Sequence, residues 1–183
     1  IGTYTLTVTN NSNGCTKTDQ VVVTNSGTLP NANAGIDKEL NCKTTSLLLD
    51  GTSTTAGVTY SWSGPGIVSG DNTSSPTINK EGIYTLTVTE IATGCKKTDH
   101  VLVTKNTTLP NANAGLTKEL NCSNNTAILT GSSTSPFTIA TWNGAGITQD
   151  TNSFNPTINK AGIYTLTVTD TINGCSATSS VNV

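Results

Sequence analysis

The chain repeats itself with a period of 80 residues, and this feature constrains its fold more than any other. The repeated segments are TLPNANAG at positions 28 and 108, KELNC at 38 and 118, and YTLTVT at 4, 84 and 164. A fixed period of this kind indicates a series of similar structural units rather than one large core. The repeat therefore has to be divided into units before any motif is interpreted.

The 80-residue register divides the chain into three parts. Residues 1–25 match only the end of a unit and are expected to be the C-terminal hairpin of an upstream repeat. Residues 26–105 form a complete unit, repeat 1, and residues 106–183 form repeat 2. Because the first part lacks its own first half, we expect the array to continue beyond both ends of this sequence.

Within one unit the side chains alternate with the period of a strand. In Gly82–Thr89 the apolar residues Tyr84, Leu86 and Val88 share one face and threonines share the other, which predicts a half-buried antiparallel strand. The turn after it is Asn-Gly in two of the three copies, a strong hairpin signal. Further short strands are expected at 46–49, 59–62 and 76–79 and on the return side of the hairpin.

No segment has a helical period over 11 residues, so each unit holds about seven short strands. That number in about 80 residues is typical of a two-sheet sandwich. The predicted fold class is all-β, in tandem immunoglobulin-like β-sandwich repeats of about 80 residues each. Four aromatic residues on inward strand faces are expected to form the cores: Trp62, Trp142, Tyr84 and Tyr164.

Several motifs resemble the polycystic-kidney-disease (PKD-like) class of immunoglobulin-like repeat. The resemblance spans nearly all of each unit, and in repeat 1 it depends on Ala32–Gly35, Leu49–Gly51, Trp62 and Gly82–Thr89. The Gly-Cys pair after the hairpin resembles repeats in large surface adhesins of gliding and biofilm-forming bacteria. The resemblance implies an extracellular, cell-surface-attached spacer or adhesin stalk.

The residue types that carry catalysis are scarce, so we expect no enzyme and no cofactor. The chain has one histidine, His100, whose counterparts are Gln20 and Ser180, so a catalytic histidine cannot belong to the repeat. Asp37, Asp50 and Asp71 could be calcium ligands in repeat 1. Their counterparts in repeat 2 are threonines at 117, 130 and 151, which argues against a metal site as a property of the repeat.

Charge and hydropathy limit the partners. A formal net charge of −2 does not favour a nucleic-acid partner. The sequence has no run of about 18 apolar residues, so it predicts no membrane insertion of this segment. The expected partners are neighbouring repeats of the same chain. Surface glycans or other cells could be bound through regions outside this sequence.

The cysteines follow the period too. Three of them follow a hairpin glycine and two end a KELNC segment, and this regular placement argues for disulfides and export: Cys15, Cys95, Cys175, and Cys42, Cys122. Pairing within repeats would join Cys42 to Cys95 and Cys122 to Cys175. Pairing across repeats would join Cys42 to Cys175.

We favour the pairing between repeats, although the sequence leaves both open. In a sandwich of this type, the first loop and the last hairpin turn lie about 25 Å apart, at opposite ends of a strand of about eight residues. A disulfide needs Cα atoms within about 7 Å. In a head-to-tail array, the bottom of one repeat instead meets the top of the next.

Two functions are consistent with these features. The first is a structural repeat of a long extracellular adhesin stalk or surface filament, stiffened by disulfides, because repetition supplies length, stiffness and avidity. The second is a glycan- or protein-binding immunoglobulin-like module on a secreted enzyme or receptor, which would require exposed aromatic residues.

Overall fold

The computed structural model describes residues 1–25 and 27–183, and these residues form strands and turns without a helix. The strands are β1 Gly2–Thr9, β2 Thr16–Val23, β3 Lys38–Asn41, β4 Leu47–Leu48, β5 Val58–Ser63, β6 Ile67–Ser69, β7 Thr77–Ile78, β8 Gly82–Glu90, β9 Lys96–Asn106, β10 Ala127–Ile128, β11 Thr138–Asn143, β12 Ile147–Gln149, β13 Thr157–Ile158, β14 Ile163–Asp170 and β15 Ser176–Asn182. The predicted all-β class is confirmed.

Repeat 1 folds as two sheets. One has the strand order β3-β9-β8-β5 and the other the order β4-β7-β6. The pairs are antiparallel except for β3, which lies parallel to β9 with Lys38 opposite Val103 and Asn41 opposite Asn106. This parallel pairing carries the chain after β3 to the far end of β9, where the joint with repeat 2 forms.

Repeat 2 has the same two sheets with one strand fewer. Its orders are β11-β14-β15 and β10-β13-β12. Lys118–Asn121, the counterpart of β3, forms no ladder.

The inner faces of the two sheets enclose one apolar core in each repeat. In repeat 1, Tyr84, Leu86 and Val88 on β8 have no exposed surface, and Trp62 on β5 lies opposite Leu86. Ile78 on β7 of the second sheet and Leu49, the residue after β4, are also fully buried. The intervening threonines of β8 point away from the core, so the alternation in the sequence places the strand faces correctly.

The buried tyrosines also hold the backbone between the sheets. The hydroxyl of Tyr84 donates to the carbonyl of Lys80 at 2.7 Å and also contacts the carbonyl of Pro65. Tyr164 repeats this arrangement on the carbonyls of Lys160 and Ala145. Burial raises the pKa of both hydroxyls, because the phenolate would lose its hydration. A tyrosine bonded to backbone just upstream of its strand is a feature of immunoglobulin-like sandwiches.

The N-terminal hairpin, β1 and β2, forms a two-stranded sheet whose apolar side chains are exposed. Tyr4, Leu6 and Val8 have exposed fractions of 59%, 64% and 60%, although their counterparts in both repeats are fully buried. The hairpin is nevertheless paired along its length, from Gly2 opposite Val23 to Thr9 opposite Thr16. The two strands therefore keep the pairing that their counterparts have in both repeats.

Asp99 ties the start of repeat 1 to its last strand. Its carboxylate accepts a hydrogen bond from the backbone N–H of Ala34 at 2.8 Å, and this bond is the main reason that the pKa of Asp99 is lowered. Repeat 2 replaces the carboxylate with the neutral hydroxyl of Ser179, which accepts from the N–H of Ala114 at 3.1 Å. The two repeats thus differ at this position in charge and keep the same contact.

We expect Asp99→Ser to reduce the acid sensitivity of repeat 1. Because the folded pKa of Asp99 lies below its unfolded value of about 4, the carboxylate stabilises the fold above that pH, and the stabilisation is lost as the pH falls through the folded pKa. Urea unfolding of both proteins between about pH 5 and pH 2 measures this. Parallel losses of stability in the two proteins would contradict it.

Candidate functional site at the joint between the repeats

A disulfide joins the two repeats. Cys42 follows β3 in repeat 1 and Cys175 precedes β15 in repeat 2, and their Cα atoms lie 5.0 Å apart across a sequence separation of 133. The Cα distance is within the range that a disulfide spans. Cys42 is exposed and Cys175 is fully buried, so the bond sits at the edge of the contact between the repeats.

The loop that carries Cys42 is held by the side chain of Asn41. Its Oδ1 atom accepts the backbone N–H groups of Lys43 at 3.0 Å and Thr44 at 2.7 Å. The N–H of Asn41 donates to the carbonyl of Thr44 at 2.9 Å. An asparagine that bonds its own following backbone fixes a tight turn without help from secondary structure.

The facing element is the Asn173-Gly174-Cys175 turn between β14 and β15. Gly174 has a φ of 71°, which favours glycine, and a Cβ there would lie 2.7 Å from the Cβ of Lys43. The N–H of Lys43 donates to the carbonyl of Asn173 at 3.2 Å. Glycine is therefore required at this turn both by the backbone and by the close approach of repeat 1.

Asn173 binds the linker between the repeats. Its side chain is 2% exposed, and its amide donates to Oδ1 of Asn106 at 3.3 Å and to the carbonyl of Thr108 at 2.9 Å. Its Oδ1 atom accepts the N–H of Cys175 at 2.8 Å. One buried side chain thus links the end of β9, the linker and the hairpin turn, a role that the Asn-Gly turn signal alone does not predict.

Pairing within the repeats, the alternative left open by the sequence, does not occur in the structure. Cys175 is bonded to Cys42 and not to Cys122. Cys95 precedes β9, whereas the parallel register places Cys42 beyond the other end of that 11-residue strand. Eleven residues of strand span about 36 Å, far more than a disulfide can bridge.

Three cysteines carry free thiols. Cys15 and Cys122 are exposed and Cys95 is half-buried. Each lies a multiple of 80 residues from a bonded cysteine: Cys15 and Cys95 correspond to Cys175, and Cys122 corresponds to Cys42.

The residues that could carry catalysis or bind metal lie apart in the structure. His100 is exposed on β9, where its Nδ1 atom lies 2.9 Å from the hydroxyl of Thr85. Asp37 accepts the N–H of Leu102 at 2.9 Å, and Asp50 forms an ion pair with Lys38 at 2.5 Å. Among residues 1–25 and 27–183, no three histidine, cysteine or acidic side chains form a group that could hold a metal ion.

Across the described part of the chain, no helix has the length and apolar character needed to cross a membrane.

Among the described residues of repeat 2, Phe137 is the aromatic residue whose side chain is exposed. It is 68% exposed and has a φ of 53°, where its counterpart Gly57 has a φ of 67°. Its carbonyl accepts the N–H of Thr171 at 2.9 Å and the hydroxyl of the same residue at 2.7 Å. A bulky residue in this backbone region is strained, so the loop holds Phe137 at an energetic cost.

Replacing Phe137 with glycine is expected to stabilise repeat 2 by about 0.5–1 kcal/mol. Relief of left-handed backbone strain outweighs the entropy that glycine adds to the unfolded chain, and little buried surface is lost from so exposed a ring. Urea unfolding gives the difference. Phe137→Ala keeps the strained φ and serves as the control, so equal stabilisation by alanine would contradict the backbone explanation.

Comparison with solved structures shows likeness in fold at low sequence identity. The chain aligns over 100% of its length with 31% of the N-terminal eight immunoglobulin domains of Down Syndrome Cell Adhesion Molecule, at 14% identity and a TM-score of 0.50. It also aligns with three N-terminal domains of the bacteriophage RB49 Hoc protein, covering 84% of this chain and 57% of that one at 15% identity and a TM-score of 0.44.

A third similar structure is the human Desmocollin-1 ectodomain, with 92% of this chain and 39% of that chain covered, 12% identity and a TM-score of 0.36. The chain thus spans less than two thirds of the length of each of these proteins. Neither a protein-family model nor a curated protein matches the sequence. The two-sheet topology and the alignment with the eight-domain structure show that the chain is a tandem array of immunoglobulin-like β-sandwich repeats.

Proposed function

We propose that this chain is part of the shaft of a long extracellular adhesin or surface filament, and that disulfides between repeats stiffen the shaft. The observation that carries the proposal is the Cys42–Cys175 bond across the joint. Neighbouring domains joined by one short linker move relative to one another by default. With a second covalent connection, the two repeats can rotate only about the line that joins the two links, so most of their relative motion is lost.

The contacts around the bond support a stiff joint. Asn173 fills the space between the linker and the hairpin turn, and Gly174 lets Lys43 of repeat 1 approach closely. Pro110, buried at the start of repeat 2, fixes its own φ. Together with the disulfide, these contacts restrain the joint on several sides.

The compartment follows from the same chemistry. Structural disulfides persist in oxidising surroundings outside the cytosol, which favours export of this chain. The PKD-like motifs and the resemblance to bacterial surface adhesins point the same way, with attachment and adhesion supplied by other regions of a longer protein. We propose no catalytic activity, since no catalytic residue recurs with the repeat.

Small-angle X-ray scattering tests the stiffness of the joint. The oxidised chain is compared with the Cys42→Ser/Cys175→Ser double variant, which keeps both cores and loses the bond. We expect a narrow range of inter-repeat angles in the oxidised chain and a broad range in the variant. Equal flexibility in the two proteins would reject a stiffening role.

A second variant separates the disulfide from the packing beside it. Asn173→Thr gives repeat 2 the residue that repeat 1 has at position 93, and leaves both cysteines in place. If the disulfide sets the stiffness, the range of inter-repeat angles in this variant should remain as narrow as in the oxidised chain. If Asn173 sets it, the variant should resemble the double-serine protein.

The alternative function, a glycan- or protein-binding module, has one specific observation in its favour. Phe137 is an exposed aromatic residue on a strained backbone, and such residues often serve recognition. A glycan array probed with the chain and with Phe137→Gly tests this. Binding that disappears in the variant would favour the module over the shaft.

A further inference from the structure

Asn173 is a buried asparagine that is followed directly by a glycine. An asparagine in such a pair can lose ammonia without an enzyme, because the backbone nitrogen of the next residue attacks the side-chain Cγ atom. Glycine has no Cβ atom to hinder that attack. The leaving group is the side-chain nitrogen, Nδ2. The surroundings of the Nδ2 atom of Asn173 therefore decide whether the reaction proceeds.

The joint holds this leaving nitrogen. Nδ2 of Asn173 donates to Oδ1 of Asn106 at 3.3 Å and to the carbonyl of Thr108 at 2.9 Å, which lie at the end of β9 and in the linker. The side chain is 2% exposed, so water does not reach Nδ2 to hydrate it as it departs. The closed joint thus keeps the amide intact.

The turn around Asn173 does not depend on the other repeat for its own hydrogen bonds. The N–H of Gly174 donates to the carbonyl of Asp170 at 2.9 Å, and the N–H of Cys175 donates to Oδ1 of Asn173 at 2.8 Å. Both bonds lie within the hairpin. Separation of the repeats would therefore free Nδ2 and expose it to water while the hairpin stays formed. Protection of Asn173 comes from the contact between the repeats.

A second Asn-Gly pair of repeat 2, at position 143, lies away from the joint. Asn143 ends β11 opposite Thr165, whereas Thr138 at the start of β11 lies opposite Asp170, beside the joint turn. Asn143 is exposed, and its counterpart Ser63 is exposed as well although repeat 2 follows repeat 1. Opening of the joint should leave the surroundings of Asn143 unchanged, so this residue is an internal reference.

We propose that Asn173 is a modification site controlled by the joint: once the Cys42–Cys175 bond is reduced and the repeats separate, Asn173 deamidates, and the acidic product hinders closure of the joint. The proposal rests on the proposed function in one respect, since the disulfide has to hold the joint closed. Reduction of the bond then has a lasting consequence, because reoxidation does not restore the amide.

The reaction needs water and no other reactant. The backbone nitrogen of Gly174 loses its proton and attacks Cγ of Asn173, a new C–N bond forms, and the Cγ–Nδ2 bond breaks. Nδ2 takes up a proton and leaves as ammonia. Water then opens the succinimide ring at one of its two carbonyls and restores the backbone N–H. One opening gives aspartate at position 173, and the other gives isoaspartate, in which the main chain runs through the side-chain carbon.

Neither product fits the closed joint. The oxygen that replaces Nδ2 cannot donate, so it would face the carbonyl of Thr108 without a proton between the two acceptors. The new carboxylate would also be a buried charge. Isoaspartate adds a carbon to the main chain beside Gly174, where a Cβ atom would already lie 2.7 Å from the Cβ of Lys43. Deamidation therefore favours the open joint.

Peptide mapping by mass spectrometry, after incubation at mildly alkaline pH, tests whether the joint controls the reaction. The oxidised chain is compared with the Cys42→Ser/Cys175→Ser variant, which lacks the bond. We expect deamidation at Asn173 to be about tenfold faster in the variant, and deamidation at Asn143 to proceed equally in both proteins.

Three outcomes of this comparison would overturn the proposal. Equal rates at Asn173 in the two proteins would show that the joint gives no protection. Absence of deamidation at Asn173 in the variant would show that the open turn does not react. A parallel rise at Asn143 would show that loss of the bond unfolds repeat 2 as a whole.

A pair of aspartate variants tests the effect of the product on the joint. The fraction of the Cys42–Cys175 bond is measured in glutathione redox buffers by thiol alkylation and peptide mapping. Asn173→Asp should lower the equilibrium constant for forming the bond about tenfold. Asn143→Asp adds the same charge away from the joint and should leave it unchanged. Equal constants for the two variants would overturn the claim that deamidation hinders closure.

The scattering experiment on the shaft separates this proposal from the function on which it rests. A joint that is stiffer when oxidised, with equal deamidation of Asn173 in the two proteins, would reject the modification site and leave the stiffened shaft in place. Equal flexibility with faster deamidation in the double-serine variant would reject the stiffening role and leave the modification site.

Discussion

Trp142→Ala is expected to lower the free energy of unfolding of repeat 2 by about 3–5 kcal/mol. The indole is 2% exposed, and a Cβ on Gly131 would lie 2.8 Å from its Cζ2 atom, so backbone packs directly on the ring. The surrounding sheets cannot close the cavity that alanine leaves. The total free energy of unfolding of a small domain is about 5–15 kcal/mol, so the loss is a large part of the stability of this repeat.

Urea unfolding of the variant and the parent chain by circular dichroism measures the loss. Ile139→Ala, three positions earlier on β11, is the matched control, because Ile139 is 55% exposed and its truncation should cost far less. Similar losses for the two variants would contradict the core assignment of Trp142.

The two tryptophans are expected to differ when each is replaced with phenylalanine. Nε1 of Trp62 donates to the carbonyl of Thr73 at 3.1 Å, whereas Nε1 of Trp142 is buried without a protein partner. Trp62→Phe loses a hydrogen bond, and Trp142→Phe removes an unpaired donor, so the first should cost about 1 kcal/mol more. Unfolding of the two single variants gives this difference directly, and equal costs would contradict it.

The strands with a clear side-chain period were the part of the fold that the sequence could predict. The alternation in Gly82–Thr89 marks β8, and the Asn-Gly turns mark the hairpins, because both signals are local. The expected strand at 46–49 was longer than the observed β4, Leu47–Leu48. The fold class is confirmed because it follows from the number and spacing of such strands.

Two strands of repeat 1 escaped prediction for physical reasons. β6, Ile67–Ser69, is too short to alternate, and its register with β7 shifts between Ile67 and Ser69. β3 becomes a strand through parallel pairing with β9, more than 60 residues away. A pairing of that range leaves no local pattern in the sequence.

The joint could be predicted only in outline. Which cysteine faces Cys42 depends on how one repeat sits on the next, and the sequence supplied only a geometric preference for Cys175. The role of Asn173 was missed because its two amide contacts reach Asn106 and Thr108, about 65 residues earlier. The available signal was that two of the three turns have asparagine and the third has threonine.

Loss of the Cys42–Cys175 bond is expected to destabilise the chain by about 4–5 kcal/mol in the chain-entropy view. The bond closes a loop across a separation of 133 residues, so the oxidised unfolded chain has far fewer conformations than the reduced one. Chemical unfolding of the oxidised chain and of the Cys42→Ser/Cys175→Ser variant measures the difference. Cys95→Ser, which removes a free thiol, is the control and should change little.

The shape of the transition is as informative as its midpoint. The loop closed by the disulfide contains most of both repeats. If one core unfolds while the other stays folded, the disulfide limits how far the unfolded repeat can expand and strains the joint. We therefore expect one steep transition for the oxidised chain and two shallower ones for the double-serine variant, since the denaturant slope follows the surface exposed in each step. Two separate transitions with unchanged midpoints in both proteins would show that the repeats unfold independently, and the bond would then hold the repeats in line without stabilising either core.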